Sequence, residues 1–181
     1  IWGGLTFQAP SGGNAVDHLI VRYGGWSIVG AIYINGADVI MNSCTVYESG
    51  QWGMRIENAN PVMTDSTFEN NAWSAISIDL NSDPTISGVT LTNNGANVLR
   101  FDEGVLPWDT VWDDTDIVHL LTGDVTIPAG NTLTLSPGLV IKAVYSAMDL
   151  IIDGTLLAEG TLTAPIVFTG EKDDSAGGDD D

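Results

Sequence analysis

The feature that most constrains this chain is a repeat of 22 to 23 residues through its middle. Segments 37–58 (ADVIMNSCTVYESGQWGMRIEN), 59–80 (ANPVMTDSTFENNAWSAISIDL) and 81–101 (NSDPTISGVTLTNNGANVLRF) superpose almost without gaps on turns rich in Asn, Asp and Gly. Within each segment apolar and polar residues alternate, the period of a strand with one buried face, and the turns recur too often for helices to form. Two apolar columns pass from segment to segment: Ile32, Met54, Ile76 and Leu99, and two positions further on Ile34, Ile56, Ile78 and Phe101, with Leu5 and Phe7 extending them. A second strand contributes Val21, then Cys44 and Val46, then Phe68, then Leu91, which puts the single cysteine in the core. Stacking such strands at about 4.8 Å lets each repeat hydrogen-bond to its neighbours while the columns fill the interior. The expected fold is all-β, a solenoid of parallel strands with about seven to eight coils.

Leucine-rich repeats have a similar period, but their leucine and asparagine spacing is missing and no helical segment alternates with the strands. Residues 1–101 read as regular coils and residues 117–170 as further coils, in which Val125 and Ile127 match Leu150 and Ile152, and Leu133 matches Leu156. Between them residues 102–116 (DEGVLPWDTVWDDTD) lack a period and read as an aperiodic excursion. Residues 171–181 read as an acidic loop leading toward a next repeat, and the whole chain as one domain.

The phrases TGDVTIPAGNTLTLSPGLVIK, DGTLLAEGTLTAPIVFTG, WGGLTF and VDHLIVRYGG resemble the right-handed parallel β-helix regions of large bacterial secreted and cell-surface proteins. With the coils, the resemblance covers nearly the whole chain. It implies a right-handed parallel β-helix, an extracellular setting and a role as stalk, adhesive or structural module. Related β-helices include polysaccharide lyases and hydrolases, so the fold alone does not choose a function. In the proteins it resembles, the TGDVTIPAG and PIVFTG phrases come first and WGGLTF follows an Asp-rich loop; here the order is inverted. Joining Asp181 to Ile1 of another copy restores the order, which implies a tandem array or a head-to-tail filament of copies stacked end to end.

Acidic side chains outnumber basic ones by 24 to 5, a formal charge of −19. That balance repels nucleic acid and anionic membrane surfaces and favours cations. No apolar run approaches the ~20 residues that span a bilayer, so neither nucleic acid nor membrane insertion is expected. The terminal Asp173, Asp174, Asp179, Asp180 and Asp181 form the candidate metal site, because Ca²⁺ takes clustered carboxylate and carbonyl oxygens. Asp109, Asp113, Asp114 and Asp116 form a second, weaker cluster. One cysteine excludes an internal disulfide.

On the outward side of the first strand, Tyr33, Arg55, Ser77 and Arg100 form a column beside Asn35, Glu57, Asp79 and Asp102. Glu57 and Asp79 are the candidate catalytic carboxylates, since the coil spacing matches the roughly 5 Å between the carboxyls of a retaining glycosidase. The alternative is an ordinary solvated face screened by the two arginines. No Gly-His-Gly, Asn-Thr-Asp or Arg-Ile-Lys signature of the β-helix hydrolases is found, and His18 and His119 read as structural. Of six tryptophans, mostly at turns, Trp108 and Trp112 on the excursion are the candidates for carbohydrate or partner contact. The reading is a non-enzymatic structural or adhesive module, with a polysaccharide-active or carbohydrate-binding β-helix as the alternative.

Overall fold

In the computed structural model, which describes residues 2–26, 29–144 and 148–180, every paired strand is parallel to its neighbours and no helix forms among the described residues. One long sheet runs the length of the molecule. Its eight strands are Leu5–Gln8, Ile32–Asn35, Met54–Glu57, Ser74–Ile78, Ala96–Phe101, Val118–Leu121, Val140–Ala143 and Val167–Gly170. The interval between its first and last strands is seven turns of solenoid. Parallel strands joined by crossovers are right-handed for the reason that twisted strands pack back on one another only that way.

The registers are those of the apolar columns. Leu5, Ile32, Met54, Ile76, Leu99, His119, Ile141 and Phe168 pair in succession, as do Phe7, Ile34, Ile56, Ile78, Phe101, Leu121, Ala143 and Gly170. Ile32, Ile34, Met54, Ile56 and Ile76 are fully buried. Corners are made by single residues in the left-handed region: Ser43, Asp65 and Gly88 at one corner, Glu48, Asn70 and Asn93 at the next. Short polar side chains and glycine tolerate that conformation best, which explains why turn residues recur at the repeat period.

The two shorter faces do not run through. On one, strands Asn14–Asp17, Val39–Asn42, Val62–Thr64 and Thr85–Ser87 stop after the fourth coil, and Gly104–Val105, Val125–Ile127 and Leu150–Ile152 start afresh. On the other, Ile20–Arg22, Thr45–Tyr47, Thr67–Glu69 and Thr90–Thr92 give way to Thr110–Trp112, Thr132–Leu135 and Thr155–Ala158. Residues 102–116, read from sequence as an aperiodic excursion, form a seam between two stacks. They carry two short strands, Gly104–Val105 and Thr110–Trp112, that found the second stack.

At this seam the edge strand Thr85–Ser87 has no strand above it. Carboxylates take its place: Asp114 Oδ1 accepts from the Ile86 N–H at 2.7 Å and Asp116 Oδ2 from the Gly88 N–H at 3.0 Å. Asp109 similarly accepts from the Thr132 N–H at 2.7 Å. Three of the four aspartates of the second cluster, Asp109, Asp114 and Asp116, thus serve as caps for backbone donors. Burial, with repulsion from Asp113, Asp83 and Asp116, pushes the Asp114 carboxyl up to about 7, although the Ile86 hydrogen bond opposes it.

Candidate functional site

The outward side of the long sheet divides into two parts. Over the second to fourth strands it is polar. Arg55, only 8% exposed, donates from Nε to Glu57 (3.1 Å), from Nη1 to Ser77 Oγ (2.8 Å) and in bidentate fashion to Asp102, two coils away. Burial works against the charge on Arg55, but Asp102 and Glu57 more than offset it and hold its pKa above the usual value. Tyr33 donates its hydroxyl to Glu57 Oε2 at 2.6 Å, and burial together with that bond raises its pKa.

Glu57 and Asp79, the candidate catalytic carboxylates, are both committed to structural bonds. Glu57 accepts from Tyr33 and Arg55; Asp79 accepts from the Asn58 N–H and from Ser82 Oγ at 2.5 Å. The arrangement is a carboxylate row neutralised from within by a buried guanidinium, not a bare acidic pair facing solvent.

Beside this network lies a groove of about 440 Å³ lined by Trp52, Trp73, Ala96, Arg100, Leu120 and Glu171, among others. It adjoins a second depression of about 490 Å³, sharing Arg100 and Thr122 with it, that reaches Asp102 and Glu103. The rings of Trp52 and Trp73 meet edge to face with centroids 4.8 Å apart. Arg55 and Arg100 lie 5.7 and 5.8 Å from the Trp52 centroid, so cation–π contacts hold that indole. Trp73 keeps 46% of its surface exposed. Besides its contact with the Trp52 ring, Arg100 makes long hydrogen bonds to Asp102 and Ser77, each at 3.5 Å; burial, with the neighbouring charge of Arg55, lowers its pKa despite Asp102.

Trp2, Trp26, Trp52 and Trp73 each lie in the turn before a strand of the long sheet, on four successive coils, and the last two are in ring contact. Trp2 and Trp26 are 46% and 71% exposed. The tryptophans singled out from sequence, by contrast, part company. Trp108 is 52% exposed on the seam, but Trp112 is 4% exposed and cannot contact a ligand. The alternation of strand Thr110–Trp112 turns Trp112 inward, over Leu135, against Phe101 at 4.7 Å and His119 at 5.7 Å. A repeated position within the coil was the signal for the Trp52–Trp73 corner; absence of period was a poor guide to exposure.

The remaining part of the outward side, over the fifth to seventh strands, is apolar: Ala96, Val98, Val118, Leu120 and Val140 cluster there. Residues 171–180 fold back over it. Asp180 is 3% exposed and its Oδ1 accepts from Lys142 Nζ at 2.5 Å, and its carbonyl accepts from the Asn97 N–H at 2.8 Å. Asp173 accepts from Ser175 and Thr169, bonds that lower its pKa. Asp174 and Asp179 are exposed, and Asp181 lies outside the described residues. Among the described residues no three His, Cys, Asp or Glu side chains form a metal cluster. Residues 171–180 cross back over coils already formed.

Residues 6–110 match the model of the right handed beta helix region. The chain belongs to the right-handed β-helix family. Residues 104–180 match a second model, the pectate-lyase like beta helix domain, and the boundary between the two falls on the seam. No curated protein and no solved structure matches the chain. No helix of the described residues is long and apolar enough to cross a membrane.

Proposed function

We propose that this β-helix is a non-enzymatic adhesive module of an extracellular surface protein, of the bacterial kind its phrases resemble, and that it holds a neutral glycan against the Trp52–Trp73–Arg100 groove. The observation that carries the reading is the exposed Trp73 ring beside an arginine with spare donors, in a groove of sugar-binding size. A pyranose lays its C–H face on an indole and gives its hydroxyls to charged groups at the rim. Glu171, Glu103 and Asp102 at that rim, and the charge of −19, favour an uncharged sugar chain over a polyanion. Binding of neutral oligosaccharides by calorimetry tests it: Trp73→Ala and Arg100→Met should each weaken binding, Trp108→Ala should not. Equal affinity in all three variants would sink the proposal.

The polysaccharide lyase or hydrolase alternative requires Glu57 or Asp79 to leave the bonds described above. An activity screen on uronate and neutral polysaccharides, with Glu57→Gln and Asp79→Asn as controls, decides it. A second reading, compatible with the first, is end-to-end stacking of copies. It is favoured by the inverted order of the WGGLTF and PIVFTG phrases relative to the proteins the chain resembles. Sedimentation against concentration, with Phe168→Asp as the blocking variant, tests it; a monomer at all concentrations removes it.

A further inference from the structure

The outward side of a solenoid sheet is expected to be polar wherever water reaches it. Here it is apolar only beneath residues 171–180, where Val98, Val118, Leu120 and Val140 cluster. Three devices fit the segment to that strip. Lys142 is an outward residue of the seventh strand with no exposed surface, and its ammonium donates to three acceptors, all on the segment: Asp180 Oδ1, the Gly178 carbonyl at 3.2 Å and the Glu171 carbonyl at 3.5 Å. Gly177 has φ +76°, and a Cβ there would come within 2.5 Å of Val118 Cγ2, so only glycine lies this close. The fifth strand carries a β-bulge between Ala96 and Leu99, and the N–H of Asn97 inside it is the donor that holds the Asp180 carbonyl.

The segment also borders the groove. Glu171 is part of the groove lining, and Ala96, Leu120 and Val144 belong both to that lining and to the strip that the segment covers. Groove and strip are one surface, divided by the segment.

We propose that residues 171–180 are a gate over the outward side of the long sheet, latched by Lys142 on Asp180. Its opening would join the strip to the groove and lengthen the surface open to a ligand. The surface gained is apolar with one ammonium, complementary to an extended chain with apolar faces and an acceptor at Lys142. Its length suits more sugar rings than the closed groove admits. That ligand statement rests on the glycan reading; the latch does not.

Trypsin tests the latch alone, because Lys172 is exposed but lies in a segment that must leave the sheet to enter a protease. Asp180→Ala removes the ammonium's charged partner, and Gly177→Val displaces the segment by a clash with Val118 while leaving both charges of the latch in place. Both should accelerate cleavage after Lys172 by roughly tenfold or more, in proportion to the open population, while the β-sheet circular dichroism and its melting stay those of the parent chain. Cleavage within about twofold of the parent in Gly177→Val overturns the gate. So does loss of the sheet signal in both variants, which would make the segment part of the coil fold. Titration with neutral oligosaccharides of increasing length is the second arm: the opened variants should gain affinity for the longer chains only. If cleavage accelerates but Trp73→Ala leaves oligosaccharide binding unchanged, the gate stands and the glycan reading fails.

Discussion

The coils before the seam and the coils after it share a sheet, inward columns and a register, yet their outward sides have opposite chemistry. Before the seam, Tyr33, Arg55, Glu57 and Asp102 form a hydrogen-bonded polar network open to water on one side. After it, Val118, Leu120 and Val140 need a cover, and the chain supplies one from its own acidic segment. The contrast teaches that in a solenoid the inward residues specify the coil, while the outward residues record what lies on it. A buried lysine at an outward position is then a mark of a covering segment, because an ammonium is kept from water only where acceptors replace it.

The sharpest way to break the comparison is at the seam, where the two stacks share aromatic packing. Trp112→Ala and Phe101→Ala each remove a ring from the Phe101–Trp112–His119 cluster and should cost about 3–5 kcal/mol in thermal or denaturant unfolding. A cost below about 1 kcal/mol would mean that the stacks are joined by the long sheet alone.

The next effect concerns pH. His119 is 1% exposed, and burial pushes its pKa down to about 3, opposed in part by a weak hydrogen bond to the Asp114 backbone. The unfolded chain takes up that proton below about 6.5, so the contribution of neutral His119 is whole above pH 6.5 and is lost as pH falls toward 3, by at most about 1.4 kcal/mol per unit. Asp114 has the opposite sign. Its raised pKa makes the folded state hold a proton the unfolded state has released, so its contribution is whole below about pH 4 and is lost as pH rises through 7. Between pH 4 and 6.5 the two oppose each other. His119→Leu should leave stability that rises on acidification over that window, and Asp114→Asn stability that falls. Urea midpoints across pH check both statements.

Smaller effects separate the two arginines of the open side. Arg55→Met leaves Glu57 and Asp102 without their shared donor and should cost roughly 1.5–3 kcal/mol, whereas Arg100→Met, whose contacts are at 3.5 Å, should cost less than about 1 kcal/mol. Equal melting shifts in the two variants would show that Arg55 does not organise the row. Smallest of all, Trp108→Ala on the exposed seam should shift stability by no more than about 0.5 kcal/mol, in contrast with its neighbour Trp112.

Much of this architecture was legible from period and alternation. The two columns, the corner residues and the burial of Cys44 follow from spacing, because a strand's inward face repeats every second residue and each coil repeats the last. The seam was not legible. Its strands are two and three residues long, too short to show a period, and Trp112 looks like an exposed loop tryptophan until Leu135 is placed beneath it. Nor could spacing tell that Arg55 reaches two coils to Asp102, since a long side chain crosses registers that backbone pairing keeps apart. Asp180 is the clearest case: its place in an acidic run gives no sign that packing sets it against a lysine 38 residues earlier.

By itself, then, the sequence determined a parallel β-solenoid, its register and its core, because those depend on local alternation repeated at a near-constant interval. Where the solenoid changes stack, which tryptophans face water and how residues 171–180 lie are settled by packing between coils. Each of these depends on contacts between coils that are distant along the chain, and a periodic pattern carries no information about contacts that break the period.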